Sequence, residues 1–206
     1  MIAIIDYGVG NLFSLASSFS AIGAKAIVTA DPAIIREADR IILPGVGAFE
    51  DAARKLREST MADLVKEEAA KGKPAMGICL GMQMLFERSF EYGEHEGLGL
   101  IKGSVRPIAD VIPKGLKIPH IGWNSLHFTR PHPLFKYLKE GDFVYFVHSF
   151  YAADCDDAVI ATSEYGAPLT AAVASGNVMG CQFHPEKSGE VGLSILRAFC
   201  EWEVEK

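Results

Sequence analysis

A cysteine lies two residues from a glycine on either side in Gly77-Ile78-Cys79-Leu80-Gly81, and this is the part of the chain best equipped for chemistry. An apolar run leads in and a helix-like segment leads out, the pattern of a nucleophile elbow with a thiol in the reacting position. Both flanks call for glycine because the chain turns too sharply there for a Cβ. Cys79 would open a helix, where unpaired N–H groups and the peptide dipoles favour a thiolate. Most lone cysteines are small buried hydrophobes; the glycines and the strand-to-helix switch set Cys79 apart from Cys155, Cys181 and Cys200. A thiol nucleophile needs a base, and the base needs an orienting group. Gln182-Phe183-His184-Pro185-Glu186 offers both, with an acid held two residues from a histidine across a proline. Pro185 stiffens the turn, and Glu186 is expected to reach back and fix the tautomer of His184. The bland alternative is a solvated surface turn. The elbow tips the balance toward acyl transfer by Cys79, His184 and Glu186.

Acyl transfer also needs donors for a developing oxyanion. The Leu80 N–H, directly after the nucleophile, is one candidate. Pro44-Gly45-Val46-Gly47-Ala48-Phe49 follows a strand-like run and precedes a helix. Its glycines allow a peptide N–H to turn toward the substrate, which makes Val46 and Gly47 the candidates for the second donor. Gly8-Val9-Gly10 lacks the third glycine of a dinucleotide fingerprint, and Gly72-Lys73-Pro74 lacks the rest of a Walker sequence, so no nucleotide site is expected. His95, His127 and His132 lie in polar or loop contexts. His120 and His148 sit in or beside strand-like runs, where either could be a satisfied core residue. No pair has metal-ligand spacing, and neither a metal nor another cofactor is expected.

These groups must be positioned by an α/β scaffold. In the first half, strand-like runs at 2–6, 25–29, 40–43 and 74–78 alternate with helical spacing at 11–22, a short helix from Asp31-Pro32, and helices at 49–56, 61–70 and 80–90. That alternation predicts a mostly parallel sheet with helices on both faces. The second half reads as strands at 98–107, 117–128, 142–152, 158–164, 169–174 and 178–183, then a helix at 188–201. A mixed or antiparallel extension of the sheet is expected there. With 206 residues, 49% hydrophobic and 22% charged, a single domain spanning 1–206 is the natural reading. The net charge of −6 argues against nucleic acid as a partner. No run is long and apolar enough to span a bilayer, and no basic leader precedes the first apolar run. Four scattered cysteines suit a reducing compartment, so the cytoplasm is expected.

With Cys79, His184 and Glu186 placed, the chain resembles the class I (triad) glutamine amidotransferases over nearly its whole length. The matching pieces are Pro44-Gly45-Val46-Gly47, Gly77-Ile78-Cys79-Leu80-Gly81-Met82-Gln83 and Phe183-His184-Pro185-Glu186-Lys187-Ser188. Asp6-Tyr7-Gly8-Val9-Gly10-Asn11-Leu12 and Pro119-His120-Ile121-Gly122-Trp123-Asn124 narrow the resemblance to the glutaminase subunits of imidazole glycerol phosphate synthase. The resemblance implies that Cys79 attacks the side-chain amide of glutamine and that a glutamyl thioester is then hydrolysed. It implies that Gln83, Gly45, Ser149 and Phe150 help to hold glutamine. It also implies a (β/α)8-barrel cyclase subunit as partner in a heterodimer, with Asn11, Trp123, Tyr145 and Lys187 near the joint. Two enzyme readings compete: a glutaminase for another amination pathway, and a stand-alone γ-glutamyl cysteine hydrolase. A non-catalytic binding module on the same fold is a third alternative.

Overall fold

The structure is a computed structural model that describes residues 1–203. In chain order its elements are β1 (Ile2–Ile5), α1 (Leu12–Ala21), β2 (Ala26–Thr29), α2 (Pro32–Glu37), β3 (Arg40–Leu43), α3 (Phe49–Glu58), α4 (Met61–Ala70), β4 (Ala75–Ile78) and α5 (Leu80–Met84). Then follow β5 (Phe86–Ser89), β6 (His95–Glu96), β7 (Ile101–Pro107), β8 (His120–Ser125), β9 (His127–Phe128), β10 (Phe143–His148), β11 (Phe150–Ala153), β12 (Val159–Glu164), β13 (Pro168–Ser175), β14 (Val178–Cys181) and α6 (Gly189–Glu201).

The main sheet has eight strands in the order β2-β1-β3-β4-β14-β13-β12-β9. The pairings from β2 to β14 are parallel, and those beyond β14 are antiparallel. The expected parallel sheet with an antiparallel extension is therefore present. Its central strands are mostly apolar and buried because both faces are covered. On one face Ala3, Ile5, Ile41 and Leu43 pack with Ile35 of α2, Ala52 and Leu56 of α3, and Leu64 and Val65 of α4. On the other, Ile2, Ile4, Ile42, Met76 and Ile78 meet Leu15 and Phe19 of α1 and Ile195, Leu196 and Phe199 of α6. Burying each of the largest of these side chains stabilises the fold by about 1.5–3 kcal/mol.

Three expectations need correction. The helix expected over 80–90 ends after Met84, and Phe86–Ser89 is a strand. Tertiary pairing overrides helical spacing here: Phe86 pairs with Ile101, and Leu85 O accepts from Leu100 N and Ile101 N. The run at 117–128 is two strands in different sheets, β8 in a two-stranded ribbon with β10 and β9 at the edge of the main sheet. The run at 142–152 likewise breaks at Ser149, with β10 in the ribbon and β11 in a separate four-stranded sheet ordered β11-β7-β5-β6. All four cysteines are free, and no helix among the described residues is long and apolar enough to cross a membrane.

Candidate active site

The elbow forms because β4 runs into α5 with Cys79 at the corner. Cys79 has φ 54° and ψ −113°, a left-handed conformation that a residue with a Cβ rarely adopts. A Cβ on Gly77 would stand 2.5 Å from Gly81 O, and one on Gly81 would overlap Leu43 O. The backbone is locked by Cys79 N donating to Cys181 O at 2.7 Å and Gln83 N donating to Cys79 O at 3.2 Å. α5 has no side-chain cap, so no side chain competes for the N–H of Leu80.

His184 arrives from the end of β14, the strand beside β4. Its Nδ1 lies 2.8 Å from Glu186 Oε1, and Glu186's side chain is 1% exposed. That bond turns Nε2 toward the sulfur. Burial works to lower the His184 pKa; hydrogen bonding and charge from Cys79 and Glu186 outweigh it and raise the imidazole to about 9. That shift favours the protonated ring, the partner that a thiolate requires. Its backbone is stitched to β10. His184 N donates to Tyr145 O at 3.0 Å, and Ser188 Oγ accepts from Tyr145 N at 3.0 Å while donating to His184 O at 2.6 Å.

Cys79 and His184 face a cavity of about 290 Å³ whose wall also contains Val46, Gly47, Leu80, Gln83, Ser149 and Phe150. Gly47 has φ 91°, a peptide orientation open to glycine. Tyr7 Oη donates to Pro44 O at 2.7 Å and pins the start of this loop. Gly45 lies outside the cavity wall: a Cβ there would stand 2.6 Å from Gly81 N, so its place is close packing behind the elbow. Gln83 Nε2 donates to Phe150 O at 3.1 Å and to Gln182 Oε1 at 3.0 Å. Both amide hydrogens being engaged, Gln83 offers a ligand its Oε1.

Four cavity residues were not singled out from the sequence as part of this site: Glu91, Pro119, Val147 and His148. Glu91 matters most for charge. Its Oε2 accepts from Phe49 N at 2.8 Å, in the first turn of α3. Burial raises its pKa, against the opposing pull of Phe49 N–H and His95. Gln182 was also missed. Its Nε2 lies 3.8 Å from Cys79 Sγ, and Val147 O lies 3.9 Å from the same sulfur. The readable signal for Gln182 was its period-two spacing from His184, which puts both on one side of an extended chain.

Of the expected interface residues, Trp123 and Tyr145 lie on the ribbon and Lys187 stands beside it. Trp123 and Tyr145 pair across β8 and β10 with ring centroids 6.0 Å apart, and Lys187 Nζ stands 5.9 Å from the Tyr145 ring. Asn11 is half-buried at the N-cap of α1, where its side chain makes no capping bond.

A model of the family described as glutamine amidotransferase class-I matches residues 3–201. The chain belongs to the class I glutamine amidotransferases. This amidotransferase is 52% identical to the imidazole glycerol phosphate synthase subunit HisH of Sulfurimonas denitrificans, over 98% of each chain. It is 51% identical to the HisH subunit of Caldanaerobacter subterraneus subsp. tengcongensis, again over 98% of each. Its fold matches a crystal structure of a glutamine amidotransferase with a TM-score of 0.76, at 19% identity over 98% of each chain.

Proposed function

We propose that this amidotransferase hydrolyses glutamine and delivers the ammonia to a cyclase subunit of an imidazole glycerol phosphate synthase. The observation that carries the reading is a thiol at an elbow, served by a buried, carboxylate-held imidazole, in a cavity that also holds Glu91 and Gln83. Glutamine carries an α-ammonium, and Glu91 is the carboxylate placed to receive it. The Cys79 thiolate attacks the side-chain carbonyl carbon. The oxyanion forms beside Leu80 N–H, with the Val46–Gly47 peptide as second donor. His184 then gives its proton to the leaving nitrogen, which departs as ammonia. The resulting thioester is attacked by water as His184 takes the water's proton, and glutamate leaves with the thiolate restored. The 52% and 51% identity to HisH subunits, end to end, supports this assignment over another amination pathway.

Ammonia in neutral water becomes ammonium, which is no nucleophile, so its delivery requires a docked partner. The ribbon is our candidate docking face. Ile121 is 58%, Trp123 52% and Phe143 56% exposed, a contiguous apolar patch that a solvated surface has little reason to carry. Pro119, just before β8, lines the cavity, so the patch adjoins the site. Asn11 and Lys187 are proposed to complete the joint with a (β/α)8-barrel cyclase in a one-to-one pair, in the cytoplasm. The test is a glutamine assay on the chain with and without a barrel cyclase subunit and its ribulosyl ligand. Strong stimulation by that subunit is expected. High turnover alone, or stimulation only by subunits of other pathways, would overturn the assignment.

A further inference from the structure

A second row of hydrogen bonds leaves the cavity wall at Phe150 and His148. Phe150 O, which holds Gln83, also meets His148 Nδ1 at 2.8 Å. His148 Nε2 meets His120 Nδ1 at 3.0 Å, and His120 Nε2 meets Asn124 Oδ1 at 3.0 Å. Asn124 Nδ2 then donates to Glu164 O at 2.9 Å. His120 is 1% and His148 6% exposed. The His120 ring is stacked by Phe146 at 5.1 Å and Tyr165 at 4.0 Å.

The hydrogens in this row can be counted. Both ends are backbone carbonyls, which only accept. Phe150 O therefore requires a hydrogen on His148 Nδ1. Glu164 O requires the Asn124 amide to present its nitrogen, which turns Oδ1 toward His120 and requires a hydrogen on His120 Nε2. The bond between the rings needs one more. Three hydrogens are required, and two neutral imidazoles carry two. Turning the Asn124 amide over does not help, because Oδ1 would then oppose Glu164 O.

We propose that His120 and His148 are a proton-sharing pair that holds one extra proton whenever Asn124 is seated on Glu164, so that proton uptake and the seating of β8 against β12 are one event. The surroundings set the direction of the balance. Burial is the main force lowering both, His148 to about 4, and charge on His184 across the cavity repels a further charge. Tyr165 adds an aromatic ring against His120, and Cys79 and Glu91 share the cavity with His148. At neutral pH the row is one hydrogen short and yields at its most exposed link, Asn124. The two states are a charged pair with Asn124 seated and a neutral pair with Asn124 released. Asn124 adjoins Trp123, and Phe150 holds Gln83, so the row joins the docking ribbon to the substrate wall. His120 and His148 are thus positioning residues.

The test follows the histidine ring nitrogens and the Asn124 amide of the full ¹⁵N-labelled chain by NMR from about pH 8 to about pH 4. The pair should gain a single proton between them, below the ordinary histidine range, and the Asn124 amide should shift at that same midpoint. Asn124→Asp, which supplies a charged acceptor, should raise the midpoint by about one pH unit or more, and Asn124→Ala should lower it. Two rings still wholly neutral at the acid end of that range, or an Asn124 amide indifferent to their titration, would overturn the proposal. The wild-type co-titration decides the matter even should a variant fail to fold. No glutamine enters the measurement, so its failure leaves the glutaminase reading untouched.

Discussion

At the scale of single residues, the site separates chemistry from recognition. Cys79→Ala should lower glutamine-dependent synthesis by the assembled enzyme by about 10⁴-fold or more while sparing synthesis from added ammonia. Loss of both would point to a folding defect. Glu91→Gln keeps an acceptor for Phe49 N and removes the charge facing the cavity. Its KM for glutamine should rise roughly 10- to 100-fold, the worth of one charge-assisted hydrogen bond, with kcat changed far less. A fall in kcat alone would contradict ammonium recognition by Glu91. The elbow and the His-Pro-Glu turn could be read from the chain because each is a local signature: glycines and a proline record the backbone shape directly. Glu91 could not. It reaches the cavity only because the chain leaves α5 early and turns through β5, a decision made by pairing with Ile101 far along the sequence.

At the scale of elements, the two-stranded ribbon of β8 and β10 stands apart from the main sheet and is tied directly to the triad. Tyr145 lies on the proposed docking face and is tied to the backbone of His184 twice: its C=O accepts from His184 N directly, and its N–H donates to Ser188 Oγ, which in turn donates to His184 O. Trp123→Ala should weaken binding of the cyclase subunit by about 30-fold or more, as expected of a central aromatic anchor, with the free chain's thermal stability little altered. Titration calorimetry checks this; unchanged affinity would move the interface elsewhere. The parallel core was legible because its strands are mostly apolar and alternate with helices. The partition of the second half into three sheets was not, because alternation of apolar and polar residues names a strand's faces and not its partner. Ser149 illustrates the limit: nothing in Val147-His148-Ser149-Phe150 marks a change of sheet, and the break is visible only once β11 is seen paired to β7.

At the scale of the whole molecule, two buried histidines pull stability in opposite directions with pH. His148 is lowered to about 4, so the unfolded chain binds the proton better, and stability is lost as pH falls from about 6.5 toward 4. His184 is raised to about 9, so its contribution is full below about 6.5 and is lost as pH rises through 9. The thermal midpoint should therefore be highest near neutrality and decline on both sides, and His184→Ala should flatten the alkaline limb. A midpoint that climbs steadily with pH would refute this. Phe183 is fully buried beside Phe146, with centroids 5.8 Å apart. Phe183→Ala should cost about 3–5 kcal/mol by chemical denaturation. The left-handed corner at Cys79 has a wider consequence. A residue kept there against its own preference stays put only while Gly77, Gly81 and Leu43 leave it no alternative, so the reactive sulfur inherits its aim from the rigidity of the sheet. Swapping the thiol for a serine hydroxyl or an alanine methyl would leave the bend intact, and inert copies of this chain should dock their partner as faithfully as active ones.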